Sequence, residues 1–284
     1  MVYLTLRNLE LYFRDRTAVI LSLLAEVIVM VLYIVFMRDN LLKTFDGLNN
    51  ADMILDLWMI AGILGIAPVT ASMGAYGIMI EDRAGEREKD FLISPLSDTT
   101  VISSYILSGV LASVIMSFAV LVMSEIYIMI VYGRMAGIGN IIMLYVIIVI
   151  DSLCCSALTL VPVSFIKSSN ALAGCCTILG ALIGFMTGIY LPIGSLSENV
   201  GIIIKSFPVS HGSALFRQLL ATDVIEESIG QGSYTSEVFM EYMGIYFTYD
   251  GDKISPQTEV IILIGTAVAC TIAAVFIRKC MRGH

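Results

Sequence analysis

Between two of the most apolar runs of this chain, eight of the ten residues 81–90 (EDRAGEREKD) are charged. A single charge at the centre of a bilayer costs about 2.5–3.5 kcal/mol, so no membrane interior would hold eight in one helical segment. The apolar runs on either side must end here, and the segment itself must lie in water. Its acids and bases alternate in sign, which suits a solvated or partner-facing helix with Arg83 and Arg87 facing Glu86 and Asp90. Ser94 precedes Pro95 and is pushed toward extended backbone, so that helix should end near Leu92. Asp98 then offers a cap for the next helix. Charge alone leaves open whether the segment only joins two membrane helices or docks a partner.

With 58% hydrophobic residues, 14% charged ones and a mean hydropathy of +0.90, the chain does not read as a soluble globular domain. Its net charge of -8 argues against nucleic acid, which would need a basic face. Five of the six cysteines, Cys154, Cys155, Cys175, Cys176 and Cys270, fall in apolar runs, and Cys280 sits in a basic tail. They lack metal-site spacing, and His211 and His284 are far apart, so the cysteines read as small packing residues. The first apolar run is as long as a spanning helix and shows no small-x-small cleavage site, so it reads as a retained span.

Residues 1–16 carry Val2, Leu6, Leu9 and Phe13 on one helical face and Arg7, Glu10 and Arg14 on another. That pattern fits a helix lying in the membrane interface, or one packing on a neighbouring subunit. Six spans follow, at 17–37, 54–80, 101–132, 139–166, 171–191 and 259–277, each near or above the roughly 20 apolar residues that cross a bilayer. Segment 38–53 reads as a polar external loop, and Pro68 should kink the second span. In the fifth span Gly180, Gly184 and Gly188 recur every four residues and should share a face. Segment 192–257 is less apolar and studded with acids; its part 200–220 reads as short helices half-buried at the membrane surface and interrupted at Pro208.

An even number of spans puts both termini on one side. Ten Lys and Arg residues fall in the short segments of that side, against Arg38, Lys43 and Arg134 on the other. The positive-inside rule then places both termini and segment 81–98 in the cytoplasm of a multi-pass protein of the cell membrane. Glu26, Glu125 and Asp151 remain inside spans, where burial is costly and an ionisable group is a functional candidate by default. With no basic residue inside any span, they must bond hydroxyls or water, meet a cationic substrate, or be protonated. Asp151 with Ser152 or Ser156 is one such pairing. No G-x-x-x-x-G-K-[ST] loop occurs, and no Ser/His/Asp or Cys/His nucleophile arrangement is suggested, so the chain does not read as an enzyme on its own.

The wording E-x-x-x-x-E-R-E-K from Glu81 to Lys89, then an apolar pair, then Ser94-Pro95-Leu96-Ser97, resembles the segment after the second membrane helix of type-2 ABC exporter permeases. Asp90-Phe91 stands where that family usually has Gly-Thr. The resemblance extends over the whole chain in element order. It includes Thr187-Gly188-Ile189-Tyr190-Leu191-Pro192, the later Phe207-Pro208, and Phe216-Arg217-Gln218-Leu219-Leu220.

The resemblance implies an all-α membrane fold of six spans, with an N-terminal interfacial helix, a cytoplasmic coupling helix at 81–98 and an external re-entrant insert at 192–257. Glu81, Asp82, Arg83, Glu86, Arg87, Glu88, Lys89 and Asp90 would meet a separate ABC ATPase subunit, which would carry ATP and magnesium; this chain would hold no cofactor. A second permease copy or a paralogue would complete a dimer, with Gly180, Gly184, Gly188, Glu26 and Asp151 as candidates for the substrate path or dimer seam. The expected activity is export of a hydrophobic or amphipathic compound: a drug, an antimicrobial peptide or a lipid-linked molecule. A proton- or cation-coupled transporter or channel built on Glu26 and Asp151 is the competing reading.

Overall fold

The computed structural model describes residues 1–45, 48–85, 97–135, 137–229, 234–249 and 251–282. Helix α1, Val2–Arg14, is followed by α2, Arg16–Thr44, which contains a π-helical turn at Tyr33–Met37. Next come α3 (Ala51–Ala84), α4 (Asp98–Tyr132), α5 (Ile138–Phe165) and α6 (Ser169–Met186). A 3-10 turn at Ile193–Ser195 leads to α7 (Glu198–Ser206), α8 (Pro208–Ile229) and α9 (Tyr234–Tyr242). A two-residue hairpin, Thr248–Tyr249 against Asp252–Lys253, precedes the last helix, α10 (Pro256–Arg282).

Among the described residues six helices, α2 to α6 and α10, are long and apolar enough to cross a membrane. The protein is an all-α, multi-pass membrane protein. Helix α3 is its axis: apolar on every side, it buries 94% of its most apolar stretch, whereas α2, α6 and α10 each bury 11%. A helix apolar all round belongs inside a bundle, and α3 packs on α4, α8, α5, α6 and α2. Trp58, Leu64, Tyr76 and Ile80 of α3 lie fully buried along it. Pro68 sits within the continuous helix, and its carbonyl accepts the Ser113 hydroxyl at 3.0 Å.

Several boundaries differ from the sequence reading. Segment 38–53 is mostly helical: α2 runs on to Thr44, and α3 begins at Ala51. Arg38 explains the extension, because its guanidinium reaches back into the bundle instead of out to water. The cap of α4 is Ser97, whose hydroxyl accepts the Thr100 N–H at 3.3 Å, and Asp98 is the first helical residue. The end of the charged helix near Leu92 lies outside the described residues.

Segment 200–220 is also different. The chain does break before Pro208, but α8 then runs for 22 residues and is buried among α3, α5 and α10. Proline suits this first helical position, where its missing N–H would have had no partner. Close approach is possible because the contacts are small. The side chain of Ser213 fills the space a Cβ on Gly65 would need, and Asp151 does the same at Gly212. Gly65→Ala should therefore destabilise the bundle by about 1–3 kcal/mol, because Ser213 offers backbone as well as side chain to the intruding methyl. Thermal unfolding of the purified chain, followed by loss of its size-exclusion peak, checks this.

Candidate functional site

Residues 81–84 form the C-terminal end of α3, and that end is tied down by a charged cluster. Asp82 is fully buried and sits where α1, α3 and α4 meet. Both terminal nitrogens of Arg7 donate to its carboxylate, Nη1 at 2.5 Å and Nη2 at 3.0 Å, and the Tyr105 hydroxyl donates at 2.7 Å. Arg7 Nη1 also reaches Asn8 Oδ1 at 3.1 Å. A bidentate guanidinium on a desolvated carboxylate is the strongest side-chain pairing available to these residues. The hydrogen bonds from Arg7 to Asp82 raise the guanidinium above its ordinary range.

Helix α1 is amphipathic, but its faces are arranged differently from expectation. Thr5, Asn8 and Tyr12 are buried against the bundle, Leu9 and Phe13 pack partly beside Tyr12, and Arg7 turns inward to Asp82. Val2, Tyr3 and Leu6 point outward at 66%, 88% and 50% exposure. One residue beyond Asp82, Arg83 donates to the Ile166 carbonyl at 3.1 Å, joining the end of α3 to the turn between α5 and α6. Of the expected coupling residues, Asp82 and Arg83 are bonded into the bundle in this way, and Glu81 is exposed. Glu86, Arg87, Glu88, Lys89 and Asp90 lie outside the described residues.

The intramembrane acids do not converge. Glu26 is 6% exposed and meets the Thr70 hydroxyl of α3 at 3.2 Å. Asp151, fully buried, accepts the Cys155 thiol at 3.5 Å through Oδ1, while its Oδ2 has no partner among the described residues. Its neighbour is thus Cys155, one turn on, rather than Ser152 or Ser156; Ser156 is taken by the Tyr76 hydroxyl at 2.6 Å. Glu125 lines a small cavity of about 170 Å³ with Arg134 and Asp223 at the opposite end of the bundle from Asp82.

Two acids escaped the sequence reading. Asp56 is 1% exposed and accepts from Arg38 Nε at 3.0 Å, Tyr127 at 2.8 Å and Tyr132 at 2.7 Å. Glu259, at the start of α10, accepts from Gln218 at 3.0 Å. The expectation that no basic residue reaches a span fails at Arg38, which is drawn in by Asp56. An apolar run beginning Met53-Ile54-Leu55-Asp56 with Arg38 eighteen residues earlier was the available signal.

The expected glycine face is overturned. Helix α6 ends at Met186, and Gly188 lies beyond it with φ of +63°. The Gly188 N–H bonds the Phe185 carbonyl and the Ile189 N–H bonds the Gly184 carbonyl, both at 3.1 Å. This is a left-handed helix stop, for which glycine is the suited residue. Gly184 is covered by the ring of Tyr190 from its own chain, while a Cβ at Gly180 would meet nothing within 4 Å. Gly180→Ala should leave the isolated chain as stable as before or up to about 1 kcal/mol more stable, since only helix propensity changes. Thermal unfolding beside Gly65→Ala checks the contrast.

The carbonyls beyond α6 have a dedicated donor. Arg217 of α8, fully buried, donates through Nη2 to the Thr187 and Gly188 carbonyls, both at 3.1 Å, and through Nη1 to Gly244 at 3.2 Å. Its guanidinium lies 4.9 Å from the Trp58 ring centroid, and Trp58 Nε1 donates to the Met243 carbonyl at 2.7 Å. One side chain thus joins the end of α6, helix α8, the turn at 243–247 and the axial helix. Among the described residues, no group of three or more His, Cys, Asp or Glu is placed to hold a metal ion. No protein-family model matches the chain, and no curated protein matches it.

Proposed function

We propose that this chain is the membrane subunit of an ATP-driven exporter, resembling the type-2 ABC permeases, and that it moves a hydrophobic or amphipathic compound out of the cell. It would work as a dimer with a second permease copy or a paralogue, each bound to a separate ATPase subunit, with both chain termini in the cytoplasm. The observation that carries this reading is the Arg7–Asp82–Tyr105 clasp at the root of the charged segment. A push delivered to residues 81–90 would act on the end of the axial helix α3. Through Asp82 it would act on α1 and α4 together, and through Arg83 on the turn into α6. Such a lever has a use where a cytoplasmic motor must move a bundle, and none in a simple loop.

On this reading α8 and the Arg217 junction form the outer, re-entrant part of the molecule, closing the bundle at the end opposite the motor. Helices α2 and α6, little buried within one chain, would face lipid or the second copy. Asp151 and Glu26 favour the competing reading, a proton- or cation-coupled transporter, because both are buried and neither bonds a basic side chain among the described residues. They lie on different helix contacts and form no chain of exchangeable groups, so the exporter reading stands first.

The test is a pull-down from mild detergent with the chain tagged at its C-terminus. An ATPase subunit should co-purify, and should be lost when Glu86 and Glu88 are both changed to Lys while membrane insertion is unaffected. A chain that purifies without any ATPase, or a charge-reversed chain that keeps it, sinks the reading.

A further inference from the structure

A cavity of about 270 Å³ lies in the corner between α1, α2 and α3, next to the Arg7–Asp82 clasp. Small residues hold it open: Ala18 and Ser22 on α2, Gly74 and Gly77 on α3. Interiors normally close such corners, and this one has space for about nine waters at roughly 30 Å³ each. Its walls include the apolar Leu11, Tyr12 and Ile78, and its charged residues, Asp15, Glu81 and Asp82, are all acidic. Asp82 is engaged by Arg7 and Tyr105, and one oxygen of Asp15 caps the Ala18 N–H at 3.0 Å. The positive end of α2 points toward the same mouth and is offset by that Asp15 cap.

The inner end of the cavity is where a ligand is called for. Ala18, Ser22 and Glu26 follow one another at four-residue spacing, so Glu26 continues the lining stripe of α2 one turn deeper. Thr70, which lines the cavity, has its hydroxyl 3.2 Å from Glu26 Oε1 and 2.9 Å from the Ala67 carbonyl. A hydroxyl has one hydrogen and cannot donate to both. The Ala67 bond is the shorter, so the buried Glu26 carboxylate, one turn beyond Ser22 and behind Thr70, has only a shared donor from Thr70.

We propose that this cavity binds a small organic ammonium compound, its cationic group on Glu26 and its apolar body among Leu11, Tyr12 and Ile78. An ammonium brings the donors that Thr70 cannot fully supply, and Asp15 and Glu81 at the mouth draw cations in from the solvent side. The site is argued from the cavity itself and stands whether or not the chain couples to an ATPase.

The test uses the full chain in lipid nanodiscs, carrying Ser22→Cys and Cys280→Ser, with labelling of the introduced thiol by neutral iodoacetamide. The same chain without Ser22→Cys gives the background of the native cysteines. Hexylamine should slow the labelling at a concentration about tenfold or more below that needed of hexanol or hexanoate. Glu26→Gln should raise the hexylamine concentration needed by about tenfold or more, as loss of a buried charged partner does. Thr70→Val, which keeps the carboxylate, should leave hexylamine as effective or more so. Equal protection by hexanol overturns the proposal, and so does a thiol that does not label or is not protected. A Glu26→Gln chain that elutes normally and binds hexylamine unchanged overturns it as well. The comparison of hexylamine with hexanol needs no change at Glu26, so it decides even where that variant fails to fold.

Discussion

Arg217→Ala is expected to cost about 3–5 kcal/mol, enough to remove most of the folded chain from a detergent extract. Three carbonyls, those of Thr187, Gly188 and Gly244, would lose a donor in a place water does not reach. Each buried acceptor left unpaired costs about 1–3 kcal/mol. The side chain is also large and fully buried, so its removal leaves a void beside Trp58. Against this stands the cost of keeping a guanidinium in the interior, which the variant is spared. Among the described residues no carboxylate is bonded to it. The charge is met by the Trp58 ring face and by carbonyls just beyond the C-terminal, negative end of α6.

Two further replacements separate volume from bonding. Arg217→Met keeps much of the bulk and none of the donors, so it should lose less than alanine while still destabilising the chain. Arg217→Lys keeps the charge but presents a point donor that cannot serve Gly244 and the pair Thr187 and Gly188 together, so it should fall between methionine and the parent. The readout is the temperature at which each purified chain loses its monodisperse elution peak. A methionine variant as stable as the parent would mean that the three carbonyl bonds contribute no net stability.

The sequence was readable where the membrane imposes the pattern. Six apolar runs became six helices, with the third and fourth ending within one residue of expectation, because hydrophobic length is set by the bilayer and not by tertiary detail. It was unreadable where polar groups are satisfied by distant partners. Helix α8 carries Ser210, His211, Ser213, Arg217 and Gln218, which suggested a surface segment. Its hydroxyls turn onto backbone instead, Ser210 onto the Ile204 carbonyl at 2.7 Å and Ser213 onto Val209 at 3.4 Å, and Arg217 finds its carbonyls across the bundle. Arg38 reads as part of an external loop and Asp56 escapes notice inside the second span, yet together with Tyr127 and Tyr132 they form one half-buried cluster. The glycines of α6 misled for another reason: a four-residue spacing says nothing of whether the last member lies in the helix or stops it.

The clasp at the other end lends itself to a double-mutant cycle. Asp82→Ala removes a fully buried carboxylate, and the Arg7 side chain it leaves is 31% exposed and keeps contact with solvent. Arg7→Ala keeps the fully buried carboxylate and removes its bidentate guanidinium, so it should be the more damaging single change. Desolvated ion pairs cost about 3–5 kcal/mol when one partner is removed, and the exposure of Arg7 lowers that toward about 2 kcal/mol. With both changed, the coupling energy should come out near 1–3 kcal/mol, the range for groups in one hydrogen-bond network. An arginine whose folded pKa is raised contributes its stability at every pH below its unfolded value. The Arg7 share should therefore be flat from about pH 6 to pH 9 and fade only as strong alkali is approached. If Asp82 also transmits force from a cytoplasmic motor, Asp82→Asn is the decisive variant. It preserves shape but puts an NH2 donor where an oxygen accepts from Arg7, so it should destabilise the chain, and it should cut ATP-driven transport in reconstituted vesicles by about tenfold or more beyond the loss of folded protein. Transport falling only in proportion to the folded fraction would make the clasp a structural tie and nothing else.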